Sequence, residues 1–88
     1  IGIHCLINTS CSIDHDNYIK DFVHISPGVN LGGNVTIGKS SWLGIGASVI
    51  NGCNIGDDVI VGARSLVIDD VVNAVTVVGI PAMQIEAK

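Results

Sequence analysis

The chain has 88 residues, enough for one domain and no more. Its net charge of −4 argues against nucleic acid and against an anionic membrane surface as partners. Apolar residues make up 48% of it but aromatics only 3%, so a core must be built from Ile, Val, Leu and small residues, which favours strands.

No apolar run reaches the length of about 18 residues that a membrane span needs. No basic segment followed by an apolar stretch and a cleavage site marks a secretion signal. The three cysteines, Cys5, Cys11 and Cys53, give neither a metal spacing nor an even disulfide framework. They read as small buried hydrophobes, and the expected location is cytoplasmic.

Taken in order, the chain repeats every six residues. Ile1, Ile7, Ile13, Ile19, Ile25, Leu31, Ile37, Leu43, Val49, Ile55, Val61 and Val67 are all aliphatic. This period fits neither an amphipathic helix nor a lone sheet. It fits a winding chain whose repeats are each too small to bury their own face. Residues 1–72 divide into twelve hexapeptides without a gap. Slot one is aliphatic and slot five mostly small, so both can point inward. A short strand is expected over slots five, six, one and two, and a turn over slots three and four. Pro27, Gly28 and Gly46 fall on turn slots, as their backbone preferences require.

Three strands per lap give a triangular prism of 18 residues per coil and about four coils. Slot six then points outward, in columns spaced by one coil. One column reads Leu6, His24, Trp42 and Ile60. A second reads Ser12, Asn30, Ser48 and Leu66, and a third Tyr18, Thr36, Asn54 and Val72. The first is the most apolar and carries the only Trp, which points to an interface. Gly44 and Gly62 beside it leave room for a neighbour. After Val72 the pattern breaks. Residues 73–88 read as a strand over Val75-Thr76-Val77-Val78, a turn at Gly79-Ile80-Pro81 and a tail that covers the last coil.

Two histidines fall within one stretch, His15-Asp16-Asn17-Tyr18-Ile19-Lys20-Asp21-Phe22-Val23-His24-Ile25-Ser26-Pro27-Gly28. This stretch, the hexapeptide pattern and the closing Val77-Val78-Gly79-Ile80-Pro81-Ala82 resemble the hexapeptide-repeat acyltransferases of left-handed parallel β-helix fold. More closely, Asn8-Thr9-Ser10, Ile13-Asp14-His15-Asp16, Phe22-Val23-His24-Ile25-Ser26-Pro27-Gly28 and Gly33-Asn34-Val35-Thr36-Ile37-Gly38 resemble the sugar O- and N-acyltransferases. That group includes the sialic acid O-acetyltransferases and the UDP-4-amino-sugar N-acetyltransferases. The hand of the helix comes from this resemblance; periodicity alone gives only the prism.

The resemblance implies an all-β homotrimer that binds acetyl-CoA in clefts between neighbouring prisms. It implies direct acetyl transfer to an amine or hydroxyl of a sugar or nucleotide sugar, with no metal. Matched by motif, His15 is the general base and Asp16 its acidic partner. His24 and Gly33, with Ile45 and Ala63, match acetyl-CoA contacts. Asn8 matches a residue near the reacting groups. The N-terminal sugar-nucleotide-binding domain usual in this group is expected to be absent. Arg64, Lys39 and Lys88 are the candidates to meet the CoA phosphates.

Acetyl transfer requires a proton to leave the acceptor as it attacks the thioester carbonyl, and histidine suits this near neutral pH. A carboxylate on the other ring nitrogen fixes the tautomer and favours the imidazolium that forms. Asp14 and Asp16 flank His15, and either could be that carboxylate; the resemblance favours Asp16. His15 falls at a corner and His24 on a flat strand half a coil away. One prism should not bring them together, so a cleft would combine His15 of one subunit with His24 and Asn8 of the next. His4 reads as structural, and Asp57, Asp58, Asp69 and Asp70 as a solvated rim. Two alternatives stand beside this reading. One is a non-catalytic trimeric module. The other is a zinc enzyme like the γ-class carbonic anhydrases, whose ligand spacing His4, His15 and His24 do not match.

Overall fold

A computed structural model describes residues 1–85. In chain order its strands are β1 (Leu6–Ile7), β2 (Ser12–Ile13), β3 (Tyr18–Ile19), β4 (His24–Ile25), β5 (Asn30–Leu31), β6 (Thr36–Ile37), β7 (Trp42–Leu43), β8 (Ser48–Val49), β9 (Asn54–Ile55), β10 (Ile60–Val61), β11 (Leu66–Val67), β12 (Thr76–Val78) and β13 (Met83–Gln84). The ladders are shorter than the four slots expected, holding slots six and one only. There is no helix among the described residues, so none could cross a membrane.

The strands form three faces of a prism. Face A stacks β1, β4, β7, β10 and β12 in parallel, and β13 adds at the end antiparallel to β12. Face B stacks β2, β5, β8 and β11, and face C stacks β3, β6 and β9. Register is one coil per rung: Leu6 pairs with His24, His24 with Trp42 and Trp42 with Ile60. The coils form a left-handed parallel β-helix. Right-handed crossovers usually prevail because a helix must pack back onto the sheet. Here each crossover is a bare corner with no helix to pack, so that constraint is missing.

Each corner turns through slots three and four. From His4 to Arg64 the slot-four residue has positive φ; Asp16 at 57° and Phe22 at 61° are examples. The core follows the expected slots. Ile19, Ile25, Leu31, Ile37, Leu43, Val49, Ile55, Val61 and Val67 are buried at slot one, and Val23, Val29, Val35, Ala47, Cys53 and Val59 at slot five. Burying one such side chain contributes about 1.5–3 kcal/mol. The first coil has a neighbour on one side only, so Ile1 and Ile7 stay exposed despite their phase. Cys53 is buried, while Cys5 and Cys11 are half-buried.

Three expectations are corrected. First, the twelfth hexapeptide is not complete. Ile55 pairs with Val71, sixteen residues on, and Ile60 with Thr76. The bend at Asp69 replaces a full corner and removes two residues from the coil. Val72 therefore leaves the Tyr18 column and points to solvent. Second, the closing strand is shorter than Val75 to Val78: it holds Thr76–Val78 and covers the edge of the last coil on face A. β12 is a fifth parallel rung of face A, and β13 turns back beside it. Third, Gly44 is not spare room for a neighbouring molecule. A Cβ there would stand 2.7 Å from Ala63 N and 2.9 Å from Val61 O, backbone of the next coil.

Candidate functional site

His15 sits at the corner between faces B and C. Its imidazole is mostly exposed and its Nδ1 lies 3.2 Å from Asp16 Oδ2. A carboxylate only accepts, so Nδ1 carries the proton and Nε2 keeps its lone pair. Asp14 does a different job: its Oδ1 accepts the backbone N–H of His15 at 2.8 Å. Asn17 Nδ2 donates to Asp14 O at 2.7 Å, and Asn17 Oδ1 accepts from Val35 N at 2.8 Å. The turn is thus tied to itself and to the next coil. Of the two flanking acids, Asp16 is the one whose carboxylate stands at the His15 ring.

One coil on, Gly33 is the seat of the His15 ring. A Cβ on Gly33 would lie 2.7 Å from His15 Cε1 and 2.8 Å from Nε2. This buried glycine, matched by motif to an acetyl-CoA contact, stands at the His15 corner and apart from His24. Its value to the ring is a contact that no six-residue count reveals, because it runs between coils.

His24 lies on face A, the side opposite the B–C corner. The Trp42 indole stacks on it, with ring centroids 4.2 Å apart and 12° between planes. Asn8 Nδ2 stands 3.4 Å from His24 Nε2 and donates to Ile25 O at 3.1 Å. Trp42 Nε1 donates to Ser26 Oγ at 3.3 Å. Ser26 is buried, and neither its residue type nor its slot marked its part. The neighbouring A–B corner carries Ile45, Ala63 and Arg64, all exposed. The corner is low at Gly28 and Gly46, and the Arg64 stem runs over Gly46.

The expected site residues thus form two groups. His15, Asp16 and Gly33 occupy one edge; Asn8, His24, Ile45 and Ala63 occupy the opposite side. Two concavities among the described residues lie away from both groups. A concavity of about 270 Å³ lies between face C and the C–A corner, lined by Tyr18, Lys20, Asp21 and Lys39. Another of about 210 Å³ lies under the final hairpin, beside Asp70, Val71 and Met83. Lys39 therefore faces away from His24, and among the described cations Arg64 alone shares a corner with Ile45 and Ala63. Lys88 lies outside the described residues.

Among the described residues, no group of three His, Cys, Asp or Glu side chains could hold a metal. His4 stacks on Phe22 at 5.3 Å, away from His15. Asp57 and Asp70 on the rim are not merely solvated, and Asp21 behaves as they do. Asp57 Oδ1 accepts Lys39 N at 2.7 Å, Asp70 Oδ1 accepts Asn54 N at 2.8 Å, and Asp21 Oδ1 accepts Ile3 N at 2.9 Å. They buckle one coil to the next.

Comparison with known proteins agrees with this fold. The bacterial transferase hexapeptide model of six repeats matches residues 34–69. GDP-perosamine N-acetyl transferase from Caulobacter crescentus, solved with CoA and GDP-perosamine, superposes with a TM-score of 0.98. It is 38% identical over 99% of this chain and 41% of its own. The acetyltransferase domain of PglB from Neisseria gonorrhoeae, solved with acetyl coenzyme A, gives a TM-score of 0.91 and 38% identity over 92% of this chain and 40% of that one. Chloramphenicol acetyltransferase from Morganella morganii is 41% identical over 56 residues, 64% of this chain and 27% of that protein. The chain spans less than half the length of each of these relatives. Fold and repeat define a parallel β-helix of hexapeptide repeats. Residues 34–69 match the repeat of the bacterial hexapeptide transferases, and nearly the whole chain is similar in fold to acetyltransferases built on that repeat.

Proposed function

We propose that the protein transfers acetyl groups from acetyl-CoA to an amine or hydroxyl of a sugar or nucleotide sugar. The observation that carries this reading is the His15–Asp16 pair, seated on Gly33 with Nδ1 committed to a carboxylate. That leaves the Nε2 lone pair to act as a base. As the acceptor nitrogen or oxygen bonds to the thioester carbonyl carbon, His15 Nε2 takes its proton and Asp16 favours the imidazolium. Collapse of the tetrahedral species breaks the carbon–sulfur bond, and the imidazolium can return the proton to the departing thiolate. No covalent acyl-enzyme is needed.

The acyl donor fits the other group of residues. His24 offers a ring nitrogen, Ile45 and Ala63 an exposed apolar edge, and Arg64 a guanidinium for phosphate. These lie across the prism from His15, so the site is completed between copies. The proposed assembly is a homotrimer in which the His15 corner of one prism meets face A of the next. The half-exposed Trp42 column supplies apolar surface for that contact.

The test is direct. Calorimetry should show acetyl-CoA binding, and thiol release should then appear with at least one member of a panel of amino sugars and sugar nucleotides. A trimer that binds no acetyl-CoA would favour a non-catalytic module instead.

A further inference from the structure

We propose that Asn8 and Trp42 are positioning residues that hold His24 as an Nδ1–H donor aimed at an acceptor oxygen of the acyl donor. The Asn8 amide cannot be turned around freely. Its nitrogen donates to Ile25 O at 3.1 Å, so the amide oxygen is barred from that side. The same nitrogen faces His24 Nε2 at 3.4 Å, and two donors cannot meet there. Nε2 therefore bears the lone pair, and the single ring proton of the neutral imidazole is on Nδ1. Among the described residues Nδ1 has no hydrogen-bond partner. Both rings carry the proton on Nδ1, but in His15 that proton is held by Asp16, while in His24 it has no partner among the described residues.

Trp42 fixes the plane of the ring. Its indole lies almost parallel to the imidazole, and its own Nε1–H is tied to the buried Ser26 Oγ. Asn8, His24 and Trp42 sit on three successive coils, so ladder register sets the cluster. A flat stack limits rotation of the imidazole about χ2. A hydrogen bond to a ligand gains most when the donor is already oriented. The proposal rests on the reading that His24 faces acetyl-CoA, and it moves Asn8 from substrate contact to support of that histidine.

The experiment is nitrogen-15 NMR of the full chain labelled at histidine, at a pH of about 8.5 where imidazole is neutral. His24, assigned by its loss in His24→Gln, should show a protonated Nδ1 and an unprotonated Nε2. Asn8→Ala should shift the balance toward Nε2–H, while Trp42→Phe should preserve the wild-type pattern. Kinetically, Trp42→Ala should raise KM for acetyl-CoA by about tenfold, the size of one weakened hydrogen bond, with kcat changed less. Trp42→Phe should restore most of it. Should Trp42→Ala not fold, Asn8→Ala on the exposed rim decides. A wild-type His24 protonated on Nε2, or a tautomer unmoved by Asn8→Ala, would overturn the proposal. Failure of the wild-type protein to bind acetyl-CoA would instead sink the functional reading, and the NMR result would still judge the tautomer.

Discussion

At the scale of single residues, the account turns on what sits against His15. Replacing His15 by Ala should lower kcat by about 10²–10⁴-fold, the usual contribution of a positioned base. Asp16→Asn should cost less, because the pair is exposed and solvent screens it. Gly33→Ala is the more discriminating change. The added methyl meets only the His15 ring among the near atoms, so the fold should survive while the ring is displaced and kcat drops. Circular dichroism with turnover assays would separate the two effects. Cys53 gives a residue-scale prediction of another kind. Burial, then the charges of Asp70 and Asp69, hold its thiol above the ordinary value of 9.0. The folded state thus keeps this proton after the unfolded state has released it, and unfolding free energy should fall as pH rises above about 9. Urea titrations at pH 8 and pH 10, compared between wild type and Cys53→Ala, would show it as a loss specific to the wild type.

At the scale of the coil, the stabilising unit is one rung plus the corner that joins it to the next. Ile37 is fully buried on face C, so Ile37→Ala should cost about 2–5 kcal/mol in chemical denaturation. Asp57→Ala removes the acceptor for Lys39 N and should cost roughly 1–3 kcal/mol. Gly44→Ala should destabilise by a similar amount, about 1–3 kcal/mol, because its methyl meets backbone that cannot step aside. The hexapeptide count made the faces, the inward slots and the corners legible, since burial repeats with the same period. The corner buckles were not legible, because Asp21, Asp57 and Asp70 look alike whether hydrated or bonded to the coil beneath. The two-residue contraction near Asp69 was hidden for a related reason: Val71 and Val72 are both aliphatic, and only pairing with Ile55 tells them apart. In the site, His15, Asp16 and His24 stood out by residue type and flanking motif. The seating of the His15 ring on Gly33 and the backing of Trp42 by Ser26 did not, since those contacts join residues 16 to 18 apart.

At the scale of the molecule, a prism about 22 Å across keeps its two functional groups on opposite sides. On the proposed reading, a lone prism has a base without an acyl donor and a donor surface without a base. Assembly resolves this if each copy lends its face A to the His15 corner of the next. The apolar Leu6, Trp42 and Ile60 column then becomes buried surface rather than exposed surface. The most direct measurement is acetyl transfer by mixed assemblies of a His15→Ala chain and a His24→Ala chain, each inactive by itself. Co-refolding the two should recover activity, because some interfaces then unite an intact His15 with an intact His24. Mixed trimers that form but stay as inactive as either parent would contradict the shared site.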